Sequence, residues 1–217
     1  MISPTLATDT VIFNIQKWEL KVLLIKMNKE PFIWKWAVPW WFISENELVK
    51  DAANRVLFEA TNVKDLYLEE LKIFDSLDRD PKKRIISVWY MAIIKKDDLN
   101  IKTDERYSSI DWFPVESIPA LAYDHKEIID FALERLKREI EYSTISFTLL
   151  PKEFTLTDLQ KVFEIVLWKE LDKRNFRKKI LKQKVLKDTG KKRTIWSPRP
   201  AVLYKAISSE IKFVEMT

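Results

Sequence analysis

Glycine occurs once in this chain of 217 residues, although an average usage near ~7% would give roughly 15. Tryptophan, in contrast, occurs nine times. The scarcity of glycine constrains every turn, because a backbone with positive φ suits glycine and is resisted by larger residues. Trp18 lies in a predicted hairpin turn and Trp168 just past a predicted helix end, two sites where such a backbone is commonly needed. The chain therefore has to turn with residues that are poorly suited to turning.

The rest of the composition is globular, with 47% hydrophobic and 33% charged residues, which excludes disorder and collagen. The lack of cysteine excludes disulfides, thiol nucleophiles and cysteine-based zinc sites. A single histidine nearly excludes a His-rich metal site and a His-dependent triad. No apolar run reaches the ~18 residues of a membrane span and no hydrophobic signal region opens the chain, so we expect a cytoplasmic protein without membrane contact.

Charge is distributed unevenly along the chain. Residues 151–217 contain 17 Lys and Arg against 8 Asp and Glu, whereas residues 1–150 contain 21 against 25. A mildly acidic body followed by a basic tail predicts two domains, of which the second meets a polyanion. A solvated, lysine-rich surface is the alternative interpretation.

Strand-like and helix-like segments alternate over the first 145 residues. Two β-rich runs at 10–15 and 20–26 predict a hairpin that turns at 16–19. Leu48, Ala52 and Val56 recur at helical spacing and predict a helix over 44–60. Further strands are predicted at 66–75, 84–95 and 110–114, and Asp124 is a plausible N-cap for a helix that reaches about Tyr142. This order predicts an α/β layered domain over residues 1–145.

The pattern changes after Pro151. Thr157 and Gln160 have capping-box spacing and precede an apolar stripe at helical spacing. A basic helix is predicted over 172–184, and two β-like runs at 184–187 and 201–204 flank a basic turn at 188–193. Helix, turn, basic helix and basic hairpin is the order of a winged helix-turn-helix. Residues 146–217 are therefore predicted to bind double-stranded DNA, with an ordinary surface loop as the alternative for the hairpin.

The predicted DNA-contacting residues divide into two groups. The 172–184 helix is expected to enter the major groove, and the hairpin to lie against the backbone. Arginine and asparagine can read base edges, whereas lysine mainly neutralises phosphates. The candidates are Lys173, Arg174, Asn175, Arg177 and Lys178 on the helix, and Lys191, Lys192, Arg193 and Arg199 on or beside the wing.

The segment 39–63 resembles a Nudix box, G-x5-E-x7-R-E-U-x-E-E-x-G-U with U aliphatic. The matching positions are Glu47, Arg55, Leu57, Glu59 and Val63, and the departures are Trp41, Val56, Ala60 and Asn62. The flanks at 30–32, 35–39 and 78–81, together with 171–179, are similar to the Nudix-related transcriptional regulators. That resemblance implies an α/β/α Nudix sandwich with a mixed sheet fused to a winged helix-turn-helix. It also implies a bacterial regulator, a homodimer, and a small-molecule effector such as ADP-ribose, another nucleotide sugar or a free sugar.

The chemistry of the box argues against hydrolysis. Glutamates at positions i, i+3 and i+4 share one helix face and can hold Mg²⁺, which neutralises a pyrophosphate and activates water. Here those positions are Val56, Glu59 and Ala60, so one candidate metal ligand of three remains. We therefore expect no catalytic residues and no required cofactor. The alternative functions are an active Mg-dependent Nudix pyrophosphohydrolase acting on ADP-ribose or a related nucleoside diphosphate derivative, and a protein-binding adaptor.

A charged loop before the second long strand offers candidate effector contacts. Arg79, Asp80 and Arg84 are suited to an anionic or hydroxylated ligand, although an ordinary charged turn closed by Pro81 explains them equally well. His125 begins a predicted helix and is interpreted as a neighbour of the helix cap rather than as a catalyst.

The tryptophan excess has a pattern of its own. Trp34, Trp40, Trp41, Trp168 and Trp196 fall where the regulators that this chain resembles are expected to carry glycine, and Trp18 falls in a turn. Trp89 is less clear, whereas Trp36 and Trp112 have the surroundings of ordinary tryptophans. One hypothesis is that the gene uses UGA for glycine. The alternative is a true enrichment in tryptophan that forms an aromatic ligand platform.

Overall fold

A computed structural model of the chain describes residues 3–63, 66–94, 107–194 and 200–216. They divide into two compact units. The first holds the described residues within 1–14, 20–94 and 98–133, and the second those within 15–19 and 134–217. The predicted boundary at 145/146 stays a prediction, because the division between the units passes through a helix at 133/134.

The first unit is built on a seven-stranded mixed sheet. Its strands are β1 (Thr5–Gln16), β2 (Glu19–Met27), β3 (Trp36–Ala37), β4 (Trp40–Phe42), β5 (Tyr67–Phe74), β6 (Ile85–Ile93) and β7 (Tyr107–Pro114). The strand order is β3-β2-β1-β6-β5, while β4 pairs with β1 and β7 with β2. Strands β1 and β6 pair in parallel, whereas the β1–β4, β2–β3, β2–β7 and β5–β6 pairs are antiparallel. Central strand β1 is buried along nearly its whole length, as its apolar run of Val11, Ile12 and Phe13 requires.

Helix α1 (Val49–Thr61) packs against the sheet through a stripe of small and aliphatic residues. Leu57 and Ala60 join Ile12 and Leu23 in one core cluster. The helix ends at Asn62, which adopts the left-handed conformation and donates its backbone N–H to the carbonyl of Phe58. Asparagine tolerates this conformation, so Asn62 keeps the turn that the family pattern assigns to glycine. The helix begins at residue 49, so the predicted start at residue 44 was wrong.

Helix α2 (His125–Tyr142) follows a short 3-10 helix at Val115–Ser117. Its buried face carries Ile128, Ile129 and Ala132, and Phe131 meets Phe74 of β5 edge to face at 6.1 Å between ring centroids. The prediction of a helix that ends at Tyr142 is confirmed.

The second unit contains α3 (Leu156–Leu167), α4 (Lys173–Lys182) and a hairpin of β8 (Leu186–Arg193) and β9 (Ala201–Ala206), after a 3-10 turn at Thr144–Leu149. Phe163 of α3 and Phe176 of α4 pack at 5.2 Å between ring centroids. The capping box is formed by Thr155 and Asp158, so the predicted N-cap, Thr157, was wrong. Aspartate three residues after Thr155 can return the hydrogen bond as glutamate or glutamine does.

The hairpin extends beyond its predicted strands. Lys191, Lys192 and Arg193 lie within β8 rather than in a turn. A register irregularity between Asp188 and Lys192 includes Gly190, whose φ of 73° is the left-handed conformation that glycine favours. The single glycine of the chain thus makes a bulge, and the basic residues after it are held at strand spacing.

Candidate effector pocket and nucleic-acid interface

The remnant of the Nudix box forms a structural ion-pair network. The Arg55 guanidinium donates from Nε to Glu47 Oε1 at 2.7 Å and from Nη2 to Glu47 Oε2 at 2.8 Å. It also donates to the carbonyl oxygen of Phe42 at 3.1 Å and approaches the Glu59 carboxylate at 3.6 Å. These hydrogen bonds lower the pKa of Glu47 to about 2. Glu47 and Arg55 therefore fasten the loop before α1 to the helix.

The carboxylates of the box do not fit a magnesium ion. Both oxygens of Glu47 accept from Arg55, and Glu59 pairs with the same guanidinium. Val56 and Ala60, at the other two ligand positions, are each 2% exposed. Within the described ranges, no group of three or more His, Cys, Asp or Glu is placed to hold a metal. A hard divalent ion requires several oxygen ligands, which this arrangement lacks.

A buried polar cluster lies where β1, β6, the loop after β5 and the start of α2 meet. Arg79 donates to Asp124 from two nitrogens, at 3.0 and 2.9 Å, and lies 3.9 Å from Asp9. The Arg79 side chain is only 6% exposed, and Ser87 donates a hydrogen bond to Asp9. Burial raises the pKa of Asp9 to about 7, against the opposing effect of Arg79. The cluster is a network in which one arginine is shared by two carboxyl groups.

His125 completes the cluster from the first turn of α2. Its Nδ1 accepts the backbone N–H of Val38 at 3.1 Å, and its Nε2 lies 3.7 Å from Asp9. Burial lowers the pKa of His125 to about 3, so the imidazole is neutral and its proton is on Nε2, facing Asp9. The histidine thus ties the segment before β4 to α2.

A pocket of about 670 Å³ opens beside this cluster. Its aromatic wall contains Phe32 and Tyr123, whose rings meet edge to face at 4.5 Å between centroids. Its cations are Lys72 and Arg79, and its carboxylates are Asp75, Asp78, Asp124 and Glu127. A smaller recess of about 20 Å³, bounded by Asp9, Trp40, Arg79, Tyr123 and His125 among others, shares Arg79 and Tyr123 with it.

The three predicted effector residues have different surroundings. Arg79 lines both the pocket and the recess, and Asp80 lines the recess while accepting the backbone N–H groups of Lys82 and Lys83 at 2.8 Å each. Arg84 lines neither, because its guanidinium donates to the carbonyls of Asp75 and Ser76. Arg84 therefore holds together the two ends of the loop between β5 and β6.

Sequence reasoning missed Asp9, the pairing of Asp124 with Arg79, and the position of His125 beside Asp9. The one local signal is a carboxylate inside an apolar strand, since an unpaired buried charge is costly and predicts a partner. The partner itself, Arg79, is 70 residues away along the chain.

In the second unit, α4 presents a basic face. Phe176 and Ile180 are buried, while Lys173, Arg174, Asn175 and Lys178 are exposed. Asp172 caps the helix by accepting the N–H of Asn175 at 2.8 Å. Arg177 is half-buried and donates to the hydroxyl of Thr157 at 3.1 Å. Four of the five predicted helix contacts are therefore exposed.

The predicted wing residues are less uniform. Lys192 is exposed, Lys191 pairs with Glu153 at 2.8 Å, and Arg193 pairs with Asp158 of the α3 capping box. Arg199 and Trp196 lie outside the described residues. A groove of about 900 Å³ in this unit has Lys161, Lys173, Arg177 and Arg193 among its lining residues. Four cations and the carboxylate of Asp158 thus line the groove at the N-terminal ends of α3 and α4.

The mixed sheet with its helices has the Nudix fold, and the two helices with their hairpin form a winged helix. The family models agree: the NUDIX domain matches residues 4–132 and the NrtR DNA-binding winged helix domain matches residues 146–206. The chain belongs to the Nudix-related transcriptional regulators of the NrtR type, which confirms the predicted family and fold class.

Two relatives match nearly the whole chain. The ADPR responsive transcriptional repressor NtrR of Acinetobacter baylyi is 30% identical over 97% of this chain and 85% of its own length. The crystal structure of Shewanella oneidensis NrtR complexed with a 27mer DNA is 34% identical, covers 93% of each chain and has a TM-score of 0.83.

A third match concerns the Nudix domain alone. The NUDIX domain of Shewanella oneidensis NrtR complexed with ADP ribose is 32% identical over 63% of this chain and 90% of that chain, with a TM-score of 0.56.

None of the helices in the described ranges is long and apolar enough to cross a membrane.

Proposed function

We propose that this chain is a transcriptional repressor that binds operator DNA as a homodimer and responds to ADP-ribose or a closely related nucleotide sugar. The observation that carries the proposal is the exposed basic face of α4, where Arg174 and Asn175 stand between Lys173 and Lys178. Arginine and asparagine form bidentate hydrogen bonds with guanine and adenine in the major groove. The lysines add the phosphate contacts that position the helix. Such a regulator acts in the cytoplasm, where its operator is.

The pocket beside Arg79 is the proposed effector site. Phe32 and Tyr123 offer aromatic faces to a base, and Lys72 and Arg79 offer positive charge to a pyrophosphate. The four carboxylates outnumber these cations, so charge attraction alone does not hold a dianion here. Carboxylates accept hydrogen bonds, which suits the hydroxyl groups of a ribose. A ligand with a base, a pyrophosphate and sugar hydroxyls uses all three kinds of group.

The residues of the Nudix box argue against the alternative function, pyrophosphate hydrolysis. The box glutamates that remain are paired with Arg55, and the other two ligand positions are apolar and buried. We propose that the domain requires no metal for its regulatory role.

The test is a gel-shift titration against the gene's own upstream region at two salt concentrations, with and without ADP-ribose. We expect retardation that weakens as salt rises and that ADP-ribose reduces. AMP and free ribose serve as matched part-ligands and are expected to have weaker effects. By linkage, operator DNA must reduce the affinity for ADP-ribose by the same factor by which ADP-ribose reduces the affinity for operator DNA. No retardation under any condition would sink the regulator proposal, whereas retardation that ADP-ribose leaves unchanged would sink only the choice of effector.

A further inference from the structure

Tryptophan is concentrated where the backbone is left-handed. Seven non-glycine residues of the described ranges have positive φ, and three of them are Trp18, Trp34 and Trp168, with φ of 64°, 65° and 52°. Tryptophan supplies only nine of the 217 residues. Three of the seven residues at positive φ is therefore far more than its share of the sequence. For a bulky side chain this conformation is a genuine outlier. A cause specific to tryptophan is therefore required.

Each of the three positions is one where the local structure favours glycine. Lys17 and Trp18 form the two-residue turn between β1 and β2, both with positive φ, which is the arrangement that prefers glycine second. Trp168 is the left-handed C-cap of α3, the position that glycine most often fills at a helix end. Trp34 lies in the loop between β2 and β3, with its N–H bonded to the carbonyl of Met27 at 2.9 Å.

The contacts of the indole rings do not explain why these three tryptophans have positive φ. Trp18, Trp34 and Trp168 are 42%, 62% and 50% exposed. Each has a lysine ammonium near its ring, at 4.2, 5.7 and 3.9 Å from the centroid, respectively. At exposed sites the free energy gained from a cation–π contact is smaller than the cost of a left-handed backbone for any residue that has a Cβ atom. In contrast, Trp36 packs on Phe113 and Trp112 packs on a core cluster, and neither has positive φ.

We infer that Trp18, Trp34 and Trp168 stand where the natural polypeptide has glycine, because the gene uses UGA as a glycine codon that was rendered as tryptophan. This single cause explains both the excess of tryptophan and the near absence of glycine. It also explains why three tryptophans have the left-handed backbone that glycine favours.

The same inference extends to Trp40 and Trp41, which are consecutive in β4. Trp41 stands at the first glycine of the Nudix box pattern, and its neighbour Trp40 is at a position where the regulators are expected to carry glycine. Trp40 forms one wall of the 20 Å³ recess next to Asp9 and Arg79. Glycine at residue 40 would remove that wall and enlarge the recess. This extension bears on the effector site and so rests on the proposed function, whereas the inference on the three turns does not.

The coding sequence of the gene is the direct test. We expect UGA at codons 18, 34, 40, 41 and 168, and UGG at codons 36 and 112. Mass spectrometry of the protein from its own cells should then show glycine in the peptides that contain those five positions. UGG codons at 18, 34 and 168 would overturn the inference.

Thermal unfolding gives a second, independent readout. The triple variant Trp18→Gly, Trp34→Gly, Trp168→Gly should unfold at a higher temperature than the printed sequence, by about 2–4 °C for each position. The matched control, Trp36→Gly with Trp112→Gly, should unfold at a lower temperature, since it removes packed rings from negative-φ sites. A triple variant that unfolds at a lower temperature would contradict the inference. Loss of ADP-ribose response alone would contradict only the proposed function.

Discussion

Asp9 is a carboxyl group held inside a strand and 2% exposed, and its environment makes stability depend on pH. Burial raises the pKa of Asp9 from 3.8 to about 7, so between these values the folded chain keeps a proton that the unfolded chain releases. The contribution of Asp9 to stability is therefore full below about pH 4 and is lost as the pH rises through about 7. His125 acts in the opposite direction, because burial lowers its pKa from 6.5 to about 3. Its contribution is present above about pH 6.5 and is lost as the pH falls through about 3.

Asp9→Asn should isolate the first of these two effects. The free energy of unfolding of the variant, relative to the original chain, should rise between about pH 4 and about pH 7, by more than ~1 kcal/mol, since one pKa unit corresponds to about 1.4 kcal/mol. Urea unfolding at several pH values measures it. Asp51→Asn, at an exposed carboxylate on α1, is the control and should show no such trend. Parallel curves for Asp9→Asn and the original chain would show that Asp9 does not titrate in this range.

At the scale of the elements, α1 is the helix of the Nudix box, but two of its three metal-ligand positions carry no carboxylate. We predict negligible Mg²⁺-dependent turnover of ADP-ribose, because Val56 and Ala60 occupy two ligand positions and Arg55 pairs with both remaining glutamates. Adding Val56→Glu and Ala60→Glu should lower the free energy of unfolding rather than create activity, since both sites are 2% exposed and a buried unpaired carboxylate is costly. The measurement is the release of AMP and ribose 5-phosphate from ADP-ribose with and without Mg²⁺. Turnover of ~1 s⁻¹ or more that Glu59→Gln abolishes would contradict this prediction.

Helix α4 and the wing should respond differently to alanine substitution. Arg174→Ala or Asn175→Ala should weaken operator binding by about 1–3 kcal/mol and relax specificity at one base position. Lys192→Ala should weaken all sequences alike and reduce the salt dependence of log K by roughly one unit, because lysine neutralises a phosphate. Gel shifts on operator and scrambled DNA at two salt concentrations separate these outcomes. Lys50→Ala, an exposed lysine of α1, is the control. Equal loss on both DNAs for Arg174→Ala would show that Arg174 reads no base.

For the whole molecule, two copies are expected to bind one operator. One winged helix contacts a limited stretch of DNA, and dimers of such domains bind half-sites one helical turn apart, about 34–36 Å. Light scattering should therefore give twice the mass of one chain, and titration should give two chains per operator. Halving the operator should weaken binding far more than substituting one base pair. A monomer that binds the full operator and the half-site equally would contradict the dimer proposal.

Local patterns were sufficient for most of the elements. Helical spacing in α1 and α2 and β-rich runs in β1, β2 and β6 identified their types, and the Nudix box together with the basic helix identified both domains. The errors occurred at helix ends, where a single side chain decides the first residue of the helix. Thr155 rather than Thr157 caps α3, and α1 begins at residue 49 rather than 44. Helix caps depend on which of several nearby side chains closes the bond, and spacing alone does not distinguish them.

The sequence by itself determined the family, the two domains and the loss of two box glutamates, because periodicity and motifs are carried by residues close together in the chain. Only the tertiary structure decided that Asp9, Arg79, Asp124 and His125 form one buried cluster beside a pocket. Those residues come from separate elements, and their contacts exist only once β1, β6 and α2 pack. The same holds for the tryptophans: composition shows that glycine is scarce, but the sign of φ at residues 18, 34 and 168 is a property of the folded backbone.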